Sequence, residues 1–152
     1  MNKPAAKESV APVSKSIDQC FSKNKASQSI ELCLRVAYEK VEQDRKSIAV
    51  NVMDKISKTI FLTKDEIKTM KNLKARDDKS YADYQKKSED EQAKAVQELT
   101  NAGKSFETYR QTECDRQKHF YASEPTFGGF VYYICMHDLT KQRIETLNNS
   151  IK

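Results

Sequence analysis

Between Val13 and Glu124 the chain has no proline and a single glycine, Gly103. A stretch this long without helix breakers, rich in Lys, Glu, Gln and Ala, leaves no place for the frequent turns that a sheet of short strands needs. Apart from Pro4 and Pro12 near the start, the other breakers, Pro125 and Gly128-Gly129, gather near the C-terminal end. The expected fold is all-α: an elongated antiparallel bundle of three main helices plus a short N-terminal helix, tied by two local disulfides.

Such a bundle has a thin core. Hydrophobic residues make up 38% of the 152 and charged residues 32%, so much of each helix must face water. The net charge of +5 is spread among alternating acids and bases. That is a solvated mixed surface and not the basic face of a nucleic-acid binder, so no nucleic-acid partner is expected. No segment approaches the ~18 apolar residues of a membrane span. Residues 1–16 are polar and rich in Ala, Ser, Pro and Lys, which predicts a disordered tail. They lack the apolar centre of a signal peptide, so the sequence reads either as a cytosolic start or as an exported chain whose leader has been removed.

The cysteines bear on that choice. Twelve residues separate Cys20 from Cys33, and twenty separate Cys114 from Cys135. Four cysteines allow three pairings. The favoured one closes the two local loops, Cys20–Cys33 and Cys114–Cys135, each stabilising the fold by about 3 kcal/mol on the chain-entropy model. Persistent disulfides imply an oxidising compartment, the periplasm or the outside of the cell. The competing readings are four reduced cysteines packed as small core residues, or a zinc site made of Cys114, His119, Cys135 and His137. Neither cysteine pair has the two-to-four-residue spacing usual in zinc sites, so no metal is expected, and both histidines read as surface residues.

Helical periodicity places the elements. Ser16 to Gln19 resembles a capping box opening a short helix at Cys20. Ile30, Leu34, Ala37, Val41, Ile48, Val52 and Ile56 form one stripe, with Arg45 in the slot that completes it. An arginine there can lay its stem on apolar surface. Thr63 to Glu66 is a second capping box, with Ile67, Met70 and Leu73 facing inward behind it. Lys74 to Asp83 is almost wholly polar and predicts a break, a kink or an exposed helix. A long helix then runs from about Tyr84 to His119, with the stripe Gln92, Val96, Leu99, Gly103, Phe106, Arg110 and Glu113. Gly103 on that stripe suggests a close helix crossing. His119 to Phe130 reads as a loop, and the last helix begins after Gly129 with Val131, Ile134, Cys135, Leu139, Ile144 and Leu147 inward. No phosphate loop, nucleotide fingerprint, HExxH or GxSxG occurs, so neither enzymatic activity nor a cofactor is expected.

Phe106, Tyr109-Arg110 and Glu113-Cys114, followed by Gly128-Gly129 and then Cys135, Thr140, Arg143 and Leu147, stand in a definite order and spacing. Together with Cys20 and Cys33 they resemble the lysozyme-inhibitor LprI-like domain family of exported bacterial proteins, over about residues 18–50 and 90–148. The resemblance implies one helical domain over residues 17–152, in which residues 51–84 form an inserted helical segment. Arg110, Glu113, Thr140 and Arg143 would build a structural polar network beside the second disulfide. A lysozyme inhibitor must plug a cleft holding two carboxylates. The candidate for that task is the loop bearing His119, Tyr121, Ser123 and Thr126. The charge of +5 gives no long-range steering toward a basic lysozyme. The alternative is a secreted interaction module that uses Ile60-Phe61-Leu62 in the insertion to contact another protein, host proteins included.

Overall fold

A computed structural model describes residues 17–151, and all regular structure among them is helical. Helix α1 covers 17–23, α2 Ser27–Lys58, α3 Lys64–Leu73, α4 Asp78–Phe120 and α5 Pro125–Asn149. The expected tail at 1–16, and with it Ser16 of the first capping box, lies outside the described residues. The three main helices are α2, α4 and α5. Every position of the two predicted stripes on α2 and α4 is buried or half-buried.

The chain forms two compact units. Of the described residues, 17–49 and 106–151 make one, and Val50–Ser105 make the other. In the first unit Cys20, Leu34, Val41, Cys114, Cys135, Met136 and Leu147 are buried. Cys20 is bonded to Cys33 and Cys114 to Cys135, each pair with Cα atoms 5.5 Å apart. The sulfurs that a zinc site would need are therefore consumed. Contacts also fix direction. As residue numbers rise along α4 from Arg110 to Cys114, those of their partners Thr140 and Cys135 fall along α5. Glu42 and Arg45 of α2 likewise meet Arg110 and Glu107 of α4 in descending order. Both neighbours of α4 run antiparallel to it.

The second unit is held by local polar chemistry around α3. Thr63 Oγ1 accepts from the Glu66 N–H at 3.1 Å, and Glu66 Oε1 accepts from the Thr63 N–H at 3.1 Å, completing the expected capping box. The polar run after Leu73 breaks at 74–77. The Asp77 carboxylate accepts from the Ser80 N–H at 3.2 Å and its hydroxyl at 2.8 Å, and α4 begins at Asp78, earlier than the apolar pattern indicated. The Gln92 side-chain amide donates to the carbonyls of Ile56, Ser57 and Thr59 at 3.2, 2.7 and 3.3 Å. These carbonyls lie at the end of α2, where intrahelical partners run out. Phe61 N–H donates to Ser88 Oγ, and Lys87 pairs with Glu66.

The C-terminal hairpin differs from the sequence expectation. The stretch read as a loop is mostly helix: α4 continues to Phe120, residues 121–124 turn, and α5 starts at Pro125. Proline is at home in the first helical turn, where its missing N–H costs nothing. Gly128 and Gly129 are buried within α5, and neither has positive φ. They supply room and not a turn. A Cβ at Gly128 would stand 3.2 Å from the Lys118 carbonyl oxygen, and one at Gly129 would stand 2.7 Å from Glu31 Oε1. Gly103 shows the opposite: a Cβ there meets nothing within 4 Å, so it marks no helix crossing.

These surroundings predict opposite signs for two glycine-to-alanine changes. Gly103→Ala should stabilise the protein by up to ~1 kcal/mol through helix propensity. Gly128→Ala, pressed against backbone in a stapled hairpin, should destabilise it by on the order of 1 kcal/mol despite the same propensity gain. Urea denaturation of both variants checks this, and equal shifts in the same direction contradict it.

Candidate functional site

An arginine placed in an apolar stripe needs a carboxylate, since an unpaired buried charge is costly. For Arg45 that carboxylate is Glu42, three residues earlier on α2. Arg45 donates from Nε and Nη2 to the two Glu42 oxygens at 2.6 and 3.0 Å, and from Nη2 to Glu107 at 3.0 Å. Arg110 of α4 approaches the same carboxylate, Nη1 to Oε1 at 2.8 Å and Nη2 to Oε2 at 3.1 Å. Its Nη1 also donates to Thr140 Oγ1 at 2.8 Å, and Thr140 donates onward to the Met136 carbonyl at 2.6 Å.

Of the four residues expected in a polar network, Arg110 and Thr140 therefore meet directly. Arg143 joins through an aromatic ring: its guanidinium lies 5.7 Å from the Phe106 centroid, with those of Arg45 and Arg110 at 5.5 and 5.1 Å. Glu113 is elsewhere. Its carboxylate is captured by Arg116, three residues on along the same helix surface, with Nη2 to Oε1 at 2.6 Å. Glu42, the hub, was not singled out from sequence. The only local sign of it was the Glu42–Arg45 spacing.

Burial disfavours the Glu42 charge, but the hydrogen bonds and positive charge of Arg45 and Arg110 outweigh it and hold its pKa down from 4.5 to about 2. For Arg143, burial followed by repulsion from Arg45 lowers the pKa. A carboxyl whose folded pKa is depressed stabilises the fold above its unfolded pKa, and that contribution is lost as pH falls toward the folded value. Glu42→Gln should thus cost on the order of 3 kcal/mol at pH 7, because it leaves the buried Arg110 without a carboxylate and Arg45 with Glu107 alone. The gap between wild type and variant should shrink as pH drops from about 4.5 to about 2. Urea titrations at several pH values measure this, and a gap independent of pH contradicts the assignment.

The histidines separate. His119 is exposed on the last turn of α4, whereas His137, expected at the surface, is only 2% exposed. Its place on α5 beside Met136 and Cys135 turns it into the core. Its Nδ1 shares a hydrogen bond with Asp138 Oδ1 at 2.9 Å. Among the described residues no group of His, Cys, Asp and Glu side chains could hold a metal ion.

The candidate binding residues sit at the hairpin tip: His119 at the end of α4, Tyr121 and Ser123 in the turn, Thr126 in the first turn of α5. Backbone bonds tie the tip together, Tyr121 N–H to the Lys118 carbonyl at 3.1 Å, Ala122 to His119 at 3.0 Å and Glu124 to Tyr121 at 2.9 Å. The aromatic residues beside them are not among the side chains that the sequence puts forward. Phe120 is 76% exposed and Phe127 44%. Tyr121 stands between them, its ring edge-to-face with both at 5.1 and 4.7 Å between centroids. Grooves of about 330 and 310 Å³ flank Tyr121, the first toward Asp115, His119 and Pro125, the second toward Arg116, Phe120 and Val131. The tip thus carries an aromatic ridge between two grooves.

No helix among the described residues is long and apolar enough to cross a membrane. No curated protein and no solved structure matches the chain at a significant level. Over residues 15–147 it matches the family described as lysozyme inhibitor LprI, which takes in both disulfides, the Glu42 cluster and the aromatic tip. With nearly its whole length covered, the chain belongs to the lysozyme inhibitor LprI family.

Proposed function

We propose that this is an exported, non-enzymatic binding protein of the bacterial envelope, working in the periplasm or outside the cell, which inhibits lysozyme by docking the α4–α5 tip against it. The observation that carries this reading is the exposed aromatic ridge Phe120–Tyr121–Phe127 on a hydrogen-bonded turn. Exposed aromatic rings are costly in water and are the side chains that most often dominate protein interfaces. A turn already held in shape loses little entropy when it binds. Membership of the lysozyme inhibitor LprI family supports lysozyme as the partner, and two disulfides support an oxidising compartment.

A second reading, a secreted module contacting another protein, host proteins included, is favoured by one observation. Ile60, between α2 and α3, is 56% exposed, beside the half-buried Phe61 and Leu62.

The proposal predicts that the protein slows lysozyme and binds it at micromolar concentration or tighter. Phe120→Ala combined with Phe127→Ala should weaken binding at least tenfold at a modest cost in stability, because Phe120 is largely in water and Phe127 nearly half so. Ile60→Ser should leave affinity unchanged. Titration calorimetry with a cell-wall lysis assay decides it. Absence of binding at micromolar concentration removes lysozyme as partner, and sensitivity to Ile60→Ser alone moves the interface to the second reading.

A further inference from the structure

Arg45, Arg110 and Arg143 gather around one ring, their guanidinium carbons 5.5, 5.1 and 5.7 Å from the Phe106 centroid. Two carboxylates answer them. Glu42 pairs with Arg45 and Arg110, and Glu107 pairs with Arg45. Arg143 has neither: among the described residues it forms no hydrogen bond and no ion pair. Its own helix offers no acid, because Leu139, Thr140, Thr146 and Leu147 stand three and four residues away. An arginine keeps its proton at any ordinary pH, so it does not escape the cost of burial by becoming neutral. Burial and repulsion from Arg45 both act against the charge that Arg143 must keep. Three positive groups thus face two negative ones, and the surplus is at Arg143.

The half-buried side chain also shows which part of it is open. Nε is buried without an acceptor, whereas the two Nη nitrogens, equally without partners among the described residues, are not enclosed. That Nη pair can take a carboxylate through two parallel N–H hydrogen bonds. We propose that this edge of Arg143 is an anion site and that its ligand is a carboxylate, supplied either as a small free acid or as an acidic side chain of a second protein. Charge balance selects that class. One carboxylate brings the cluster to neutrality and a phosphate dianion overshoots, while a cation is repelled and an apolar group strips the guanidinium of water with nothing in return. The site lies one turn further along α5 from the tip than Thr140, and it goes beyond the lysozyme reading.

A proton NMR titration tests it, with sodium acetate replacing sodium chloride at constant ionic strength. In wild type the Arg143 Nε–H and Phe106 ring resonances should shift and saturate. Arg143→Gln should abolish the saturable shift of the Phe106 ring. Arg35→Gln, which removes an exposed guanidinium paired with Glu39, should leave the acetate affinity within twofold of wild type. Should Arg143→Gln not fold, Arg143→Lys answers the same question: it keeps the charge, lacks the planar pair of donors, and should weaken acetate at least fivefold. N-acetyl-glutamate amide separates the two sources. Tighter binding of it than of acetate points to an acidic side chain, and acetate binding at least as well points to a free acid. No saturable shift in wild type, or less than a fivefold loss of acetate affinity in whichever variant folds, overturns the inference.

Discussion

Two helices of the first unit grip one carboxylate, and a third is tied to it through an arginine. Glu42 of α2 is gripped by Arg45 from its own helix and by Arg110 from α4, and Arg110 reaches on to Thr140 of α5. With few large apolar side chains buried, hydrophobic packing alone leaves such helices free to slide. A bidentate charge pair does not tolerate a slip of one residue, because each shift separates donors from acceptors. Replacing such a cluster by apolar residues can match its stability, whereas breaking it by removing one member is costly. Such a cluster is suited to fixing register. The Phe106 ring accommodates the surplus positive charge, giving Arg45, Arg110 and Arg143 a common face to lie against.

Order along the hairpin explains how this scaffold serves the tip. Going outward, the Arg110–Thr140 contact comes first, then the Cys114–Cys135 bond, then Phe120 and Pro125. At 1.5 Å per residue, Phe120 lies roughly 9 Å beyond the staple. Two antiparallel helices fixed at two successive levels leave little freedom over so short an overhang. Gly128 tightens it further by letting α5 approach the Lys118 carbonyl. The exposed rings are thus presented by a preorganised element, the condition under which aromatic contacts yield most affinity.

What was legible in the sequence follows from the range of each interaction. The scarcity of breakers, the Thr63–Glu66 capping box, the apolar stripes and the local cysteine pairs are short-range facts, and a pattern within a few turns suffices to see them. Glu42 could not be found that way, since Arg110 lies 68 residues from it in the chain. Gly128-Gly129 carried the composition of a turn while serving as a helix-packing surface, and only the neighbouring Lys118 and Glu31 reveal the difference. His137 became core because of what surrounds α5. Phe120 and Phe127 lay in the stretch read as a loop, where no local pattern marks a ring that stays exposed. In the candidate site Tyr121 was readable from sequence, but the rings of Phe120 and Phe127 that pack on it were not.

The central claim is that a scaffold locked by Glu42 and the Cys114–Cys135 bond holds an aromatic tip ready to engage lysozyme. Hydrogen–deuterium exchange of the protein with and without lysozyme tests it most directly. The account predicts slow exchange around residues 106–114 and 135–140 in both states, with new protection in the complex centred on residues 119–130. New protection confined to residues 50–105, or none anywhere, contradicts it.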